Sequence, residues 1–281
     1  MRSVRFGLLL FLSLLSFSVG AQQAASPQQG STPGPTRDSN AIAALNQALR
    51  VAGGAIAIGT INDYTASGNV TYHMGQDVQG TVTIKGLGLQ QFRVDASLPN
   101  GTRTHVMSGG RTQIKAEDGK ISSLPLQAPT PGKDPSPIPS SDAFPYQPPK
   151  FPGSIAVPLL QLAAVVGDPS FSISFKGTVE VEGHSVLDIQ VHPHWPGSID
   201  PMSEYHTSDF FVDPSTFQLV MVQDTVPKHV LHQIWYSDYR PVNGILVPFA
   251  ISEQMGGQTT WTIQLDQIGF NGGLQDSNFA L

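Results

Sequence analysis

The spacing of apolar positions changes period along this chain, and each change marks an element. In "SNAIAALNQALRVAGG", Ile42, Leu45 and Leu49 share one helical face, with Ala41, Ala44 and Ala48 beside them. Ser39 or Asn40 can cap the start and Gly53-Gly54 supplies the stop, so a helix is predicted here. Beyond it the period drops to two. "ASGNVTYHM", "QGTVTIKG", "LQQFRVDAS", "RTHVMSG" and "RTQIKAEDGK" are short runs separated by Gly, Asn and Asp, the pattern of strands and turns. Within "QQFRVDAS", Phe92, Val94 and Ala96 fall on one face and Gln91, Arg93 and Asp95 on the other. That alternation describes a sheet with one buried and one wet face.

Residues 123–152 interrupt the strands with ten prolines, which excludes regular pairing and predicts a long loop with polyproline II stretches. A second helical segment follows, "SIAVPLLQLAAVVGD". It is apolar almost all round and therefore predicted to be buried on more than one side, but it is interrupted by Pro158 and too short to span a bilayer. The remainder is β again, from "SFSISFKGTVEVEG" to "TTWTIQLDQIGFN". "FFVDPSTFQLVMV" is a predicted hairpin with Asp213 and Pro214 in a type I turn. In "YSDYRPVNGILVPFAI", Arg240-Pro241 is expected to end a strand and Asn243-Gly244 to supply a positive-φ turn. Pro248 fits an edge or bulge of the returning strand. A single antiparallel sheet this long must curl, and its concave apolar face needs covers. The fold expected is mainly β (α+β): a curled antiparallel sheet forming an open half-barrel covered by two helices.

The N-terminus adds a compartment. Arg2 and Arg5 precede the apolar run "FGLLLFLSLLSF", and Val19 and Ala21 stand in the right relation for cleavage after Ala21. Residues 1–21 therefore read as a signal peptide and the mature protein as periplasmic or secreted, with no transmembrane segment. Residues 22–39 are rich in Pro, Gln, Ser and Gly and read as a disordered linker, leaving 40–281 as a single domain. The chain has no cysteine, so an exported form would depend on an ordinary hydrophobic core. Removing residues 1–21 takes away two of the fifteen basic residues, leaving thirteen against twenty-one acidic, a net charge of −8. That balance argues against a nucleic-acid partner.

Four stretches together resemble the LolA/LolB/RseB-like superfamily of bacterial envelope proteins: "ALNQALRVAGGAIAIGTINDYTASGNVTY", "LGLQQFRVDASLPNG", "FFVDPSTFQLVMV", and "IWYSDYRPVNGILVPFAI" with the terminal "IQLDQIGFNGGLQDSNF". Gly244, Pro248, Phe249, Asn271 and Phe279 occupy the places of the superfamily's marker residues. The resemblance implies an open β-barrel closed by helices around an apolar cavity. It also implies binding of the acyl chains of lipids or lipoproteins in the periplasm. The Pro-rich insertion departs from the carrier pattern, and the second domain of the regulatory members is missing.

Candidate chemistry is sparse. His192 and His194 are two apart, and with His206 they would make a metal-dependent enzyme; the other reading of the histidines, His229 and His232 included, is exposed loop side chains. No G-x-S-x-G elbow, P-loop or dinucleotide spacing is present, so no catalytic residue, metal or cofactor is assigned. The apolar residues are more telling. Phe92, Val94, Phe175, Ile189, Phe211, Leu219, Met221, Ile234, Tyr236 and Trp261 occur in alternating runs that could line the concave face. The expected function is a non-enzymatic carrier or sensor that holds an acyl chain, lipid or lipoprotein in that cavity. The alternative is an interaction module with a filled core that binds another envelope protein.

Overall fold

Both periods are realised in the computed structural model, which describes residues 34–125, 152–194, 206–226 and 229–281. Residues 1–21, read as a signal peptide, most of residues 22–39, read as a linker, and most of the Pro-rich stretch lie outside the described residues. The first helix, α1 (Ser39–Val51), is capped by Asp38 rather than by Ser39 or Asn40. Its carboxylate accepts from the Asn40 and Ala41 N–H groups at 2.8 and 2.9 Å. A negative charge there also complements the helix dipole. A short α2 (Ala55–Gly59) follows, too brief to show a period in the sequence.

The apolar helical segment over 154–168 is divided at the proline that interrupts it. Pro152–Ser154 forms a single 3-10 turn, residues 155–157 are irregular, and α3 spans Leu159–Gly167 with Pro158 at its N-cap. The proline decides this. Inside a helix it would lose a hydrogen bond and clash with the preceding turn, whereas at the start it loses nothing. Ile155, Ala156 and Val157 are 1%, 0% and 0% exposed, so the irregular stretch is buried as expected.

Six strands precede that segment: β1 (Asp63–Met74), β2 (Gln76–Leu87), β3 (Gln91–Leu98), β4 (Gly101–Ser108), β5 (Arg111–Lys115) and β6 (Ile121–Pro125). Seven follow: β7 (Phe171–Val181), β8 (His184–Pro193), β9 (Ser208–Val212), β10 (Leu219–Val226), β11 (Val230–Val242), β12 (Ile245–Met255) and β13 (Gln258–Phe270). All thirteen form one sheet in the order β6-β5-β4-β3-β2-β1-β13-β12-β11-β10-β9-β8-β7. Two antiparallel meanders therefore meet at the β1–β13 pair, and the segment carrying α3 leads from one edge of the sheet to the other. The sheet is curled but not closed, and α1, α2 and α3 cover its concave face.

The Asn243-Gly244 corner forms as predicted, with φ of 51° and 82°. Both positive values match the right-handed strand twist of a two-residue hairpin. Strand β11 continues through Pro241 to Val242 rather than ending at Arg240-Pro241. Pro241 costs the ladder nothing there, because its partner Leu246 donates its N–H to Ala52 O at the end of α1. A Cβ on Gly53 would lie 2.6 Å from Gly244 O, so only glycine lets the helix end dock this closely on the hairpin.

Both ends of the described domain are tied down. Residues 36–38 run along β7, and the Arg37 guanidinium donates to Val166 O and Asp168 O at the end of α3. At the other end Asn271 bonds Asn62 N–H and Thr60 O, while the Asp63 carboxylate accepts from Gly272, Gly273 and Leu274. Phe279 is 3% exposed, and Arg93 holds Ala280 O at 2.6 Å.

Candidate functional site

The concave face gathers most of the apolar residues singled out in the sequence. Phe92, Val94, Ile189, Leu219, Ile234, Tyr236 and Trp261 are all buried in one cluster, with Phe175 packed half-buried against it. Their partners across the layer include Leu45 and Leu49 of α1, Ile58 of α2, Ile155, Val157 and Leu162. Among the described residues this face is occupied by side chains of its own cover. Burial pushes the Tyr64 and Tyr236 phenols well above their ordinary range, so both remain neutral donors at any physiological pH.

Phe211 and Met221 do not belong to this face. They form a second cluster with Val186 on the opposite side of the sheet, flanked by Val179, Val181, Val220 and Trp235. The reason is a register shift between Leu219 and Met221 in the β9–β10 ladder. One irregular residue reverses the alternation, so Leu219 and Val222 point inward while Val220 and Met221 point out. On β9 the inward residues are Phe210 and Val212, leaving Phe211 outside.

At one end of the concave face lies a buried polar network that the sequence did not reveal. His232 and Glu253 are 1% and 2% exposed, and His232 Nε2 lies 2.9 Å from Glu253 Oε1. Thr260 Oγ1 donates to the other carboxylate oxygen, and Asp224, paired with Ser208 Oγ, stands nearby. Burial alone would pull the imidazole pKa down. The Glu253 hydrogen bond and the charges of Glu253 and Asp224 outweigh it and hold His232 above its ordinary value. His232 is thus a paired core histidine, not an exposed loop side chain; its place opposite Asp224 and Met255 on adjacent strands explains why spacing along the chain gave no signal. His192 lies on β8 and His194 just beyond it, but among the described residues no three His, Asp or Glu side chains come together as a metal site.

The outer face carries a groove of about 490 Å³ over β1 and β10–β13. Its walls mix amides and hydroxyls, Asn69, Ser252 and Gln254 among them, with the apolar side chains of Val220, Trp235 and Ala250, and one charged residue, Glu182, enters from the β7–β8 turn. None of the sequence-selected residues except Tyr236 borders it. Periodicity marks these positions only as the solvent side of a half-buried sheet, which is why they drew no notice.

Neither a family model nor a curated protein matches the sequence. Solved structures do. A LolA superfamily protein from Nitrosomonas europaea superposes with a TM-score of 0.52 at 9% identity, covering 86% of this chain and 98% of that one. A domain assigned to outer-membrane lipoprotein sorting from Vibrio parahaemolyticus gives 0.50 at 9% identity, with coverage of 85% and 96%. A DUF1329 family protein from Desulfovibrio piger gives 0.50 at 11% identity, with coverage of 85% and 97%. The chain has the LolA-like fold. At this identity the likeness concerns architecture alone, so the chemistry must come from the residues described above. Within a LolA-like half-barrel they offer an apolar layer under a helical cover, a buried His232–Glu253 pair at its end, and outside it a groove whose lining carries no cation. Among the described residues no helix is long and apolar enough to cross a membrane.

Proposed function

We propose that this protein is an exported, non-enzymatic carrier or sensor that takes up the acyl chain of a lipid or lipoprotein between its concave sheet face and its helical cover. The observation that carries this reading is the nature of the cover. Residues 155–167 lie on the sheet mainly through side-chain packing, with Gly153 N–H to Leu89 O at 3.0 Å and a long 3.4 Å contact from Ala156 N–H to Tyr64 Oη near the start, and the Arg37 guanidinium on Val166 O at the end. Among the described residues no second sheet locks that layer in place. Ile155, Val157, Leu159, Leu160, Leu162 and Val165 are each less than a tenth exposed. Burying six such side chains is worth about 9–18 kcal/mol in transfer free energy. A chain of about sixteen carbons gains about 12 kcal/mol at about 0.8 kcal/mol per methylene. The two are of equal size, so an acyl chain can replace the cover at little net cost. The filled face is then the ligand-free state of an exchangeable layer.

Native mass spectrometry of delipidated protein mixed with palmitate and with a palmitoylated peptide tests this. One bound chain per protein, with faster amide exchange over residues 155–167, is the expected result. No adduct at saturating ligand, with unchanged exchange, refutes it. That outcome favours the second reading, an envelope interaction module, which the filled concave face also fits.

A further inference from the structure

We infer that the outer groove is a binding site for a neutral glycan, separate from the concave face. It sits on the opposite side of β11–β13, since Tyr236, Ile251 and Ile263 point into the core while Trp235, Ser252 and Thr262 point out. At about 490 Å³ it falls within the size range of small-ligand sites. The case rests on what its walls can and cannot do.

Asn69, Thr71, Ser237, Ser252 and Gln254 line the groove and hydrogen-bond to no described side chain or backbone group through their own side chains. Each amide or hydroxyl can both donate and accept, which is the pattern that sugar hydroxyls present in return. No lysine or arginine lines the groove, so a phosphate or carboxylate has no cation to meet. Glu182 is the single charge, and it would repel anions further while accepting from a hydroxyl. The indole of Trp235 supplies the apolar wall on which the C–H face of a pyranose packs. Its Nε1–H is buried without a partner, a costly state that a ligand oxygen would relieve on a small ring rotation. A peptide strand is a poorer fit. The groove lies over the middle of the sheet, where the backbone groups of β1, β13, β12 and β11 are already used in ladders.

The same hydroxyl chemistry would come from a free or cell-wall oligosaccharide or from the sugar head of a glycolipid, and the test separates these. Isothermal titration of the full chain with chitotriose, cellotriose and maltotriose, and with the octyl glycoside of each, should show at least one dissociation constant below about 10 mM. Trp235→Phe, which keeps the outer apolar cluster packed, and Ser252→Val should each weaken that binding about tenfold. Both should leave palmitate binding intact. Equal affinity for the trisaccharide and its octyl glycoside assigns the site to a free or wall glycan. Affinity confined to the glycoside and lost in both variants assigns it to a glycolipid head. No binding by any of the six probes, or binding unchanged in both folded variants, overturns the inference.

Discussion

Replacing Glu253 by glutamine leaves the side-chain outline on β12 nearly unchanged but removes the charge that keeps a proton on His232. Both side chains are almost wholly buried, at 1% and 2% exposure, so solvent cannot screen or replace the lost partner. Breaking a buried pair from one side costs about 3–5 kcal/mol, and because glutamine still offers an oxygen to His232, about 3 kcal/mol is expected near pH 6. The pH dependence is more diagnostic than the loss itself. In the native protein the His232 pKa is raised above its ordinary 6.5. Its contribution is therefore fully present below that value and is lost as pH rises through the folded-state pKa. Between those two values stability should fall with a slope approaching about 1.4 kcal/mol per pH unit. In Glu253→Gln the fall above pH 6.5 should vanish and stability should instead rise slightly up to that pH, since the one raising influence that remains, the Asp224 charge, is smaller than the lowering effect of burial. Urea unfolding from about pH 6 to about pH 9, followed by tryptophan fluorescence, measures both. A native protein with flat stability over that range, or a variant with an unchanged slope, would refute this account of the pair.

Three further outcomes follow from particular side chains. Asp188 has its pKa raised to about 6, first by burial and then by the charge of Asp209, against the opposing Lys176. The native protein therefore loses stability as pH rises through about 6, and Asp188→Asn should be more stable by about 1 kcal/mol at neutral pH, after allowance for its partial exposure, with no difference near pH 3.5; urea midpoints at the two pH values check this. Trp261→Ala removes a side chain only 1% exposed and should lower stability by about 3–5 kcal/mol in the same assay. Gly53→Ala forces an alanine to φ +118° with its Cβ 2.6 Å from Gly244 O, and a loss of about 2 kcal/mol should lower the calorimetric midpoint by about 4–8 °C.

Much of the architecture was legible because each element depends on local pattern. The Ile42, Leu45 and Leu49 face and the Asn243-Gly244 turn need nothing distant to specify them, and both form as read. Pro158 was legible as well, as an interruption of the apolar run, and it sets where α3 begins. The candidate site was legible only in part. Eight of the ten selected residues lie on or against the concave core, while Phe211 and Met221 lie on the other side of the sheet. A register shift depends on how two strands meet, and neither strand records it alone. His232 and Glu253 are likewise far apart in sequence and meet only because β11 and β12 pair, so their charge balance is a tertiary property.

Those same irregularities explain how one sheet comes to have two distinct faces. A sheet without a partner sheet normally leaves its second face to solvent. Here the ladder shifts register between Phe175 and Gly177 in β7 and between Leu219 and Met221 in β10. Beyond those points Val179, Val181, Val186, Phe211 and Met221 meet on the outside and bring the β7–β8 turn, with Glu182, beside the groove. The outer apolar cluster is therefore a product of the bulges, and it borders the groove through Val220 and Trp235. Along β11–β13 outward residues alternate with inward ones, as Trp235 does with Ile234. A ligand on one face cannot touch the side chains that meet a ligand on the other. Substitutions at Trp235 and at Ile234, which is buried in the concave core and does not line the groove, should for that reason affect glycan and acyl-chain binding separately, and their effects on the two affinities should not cross over.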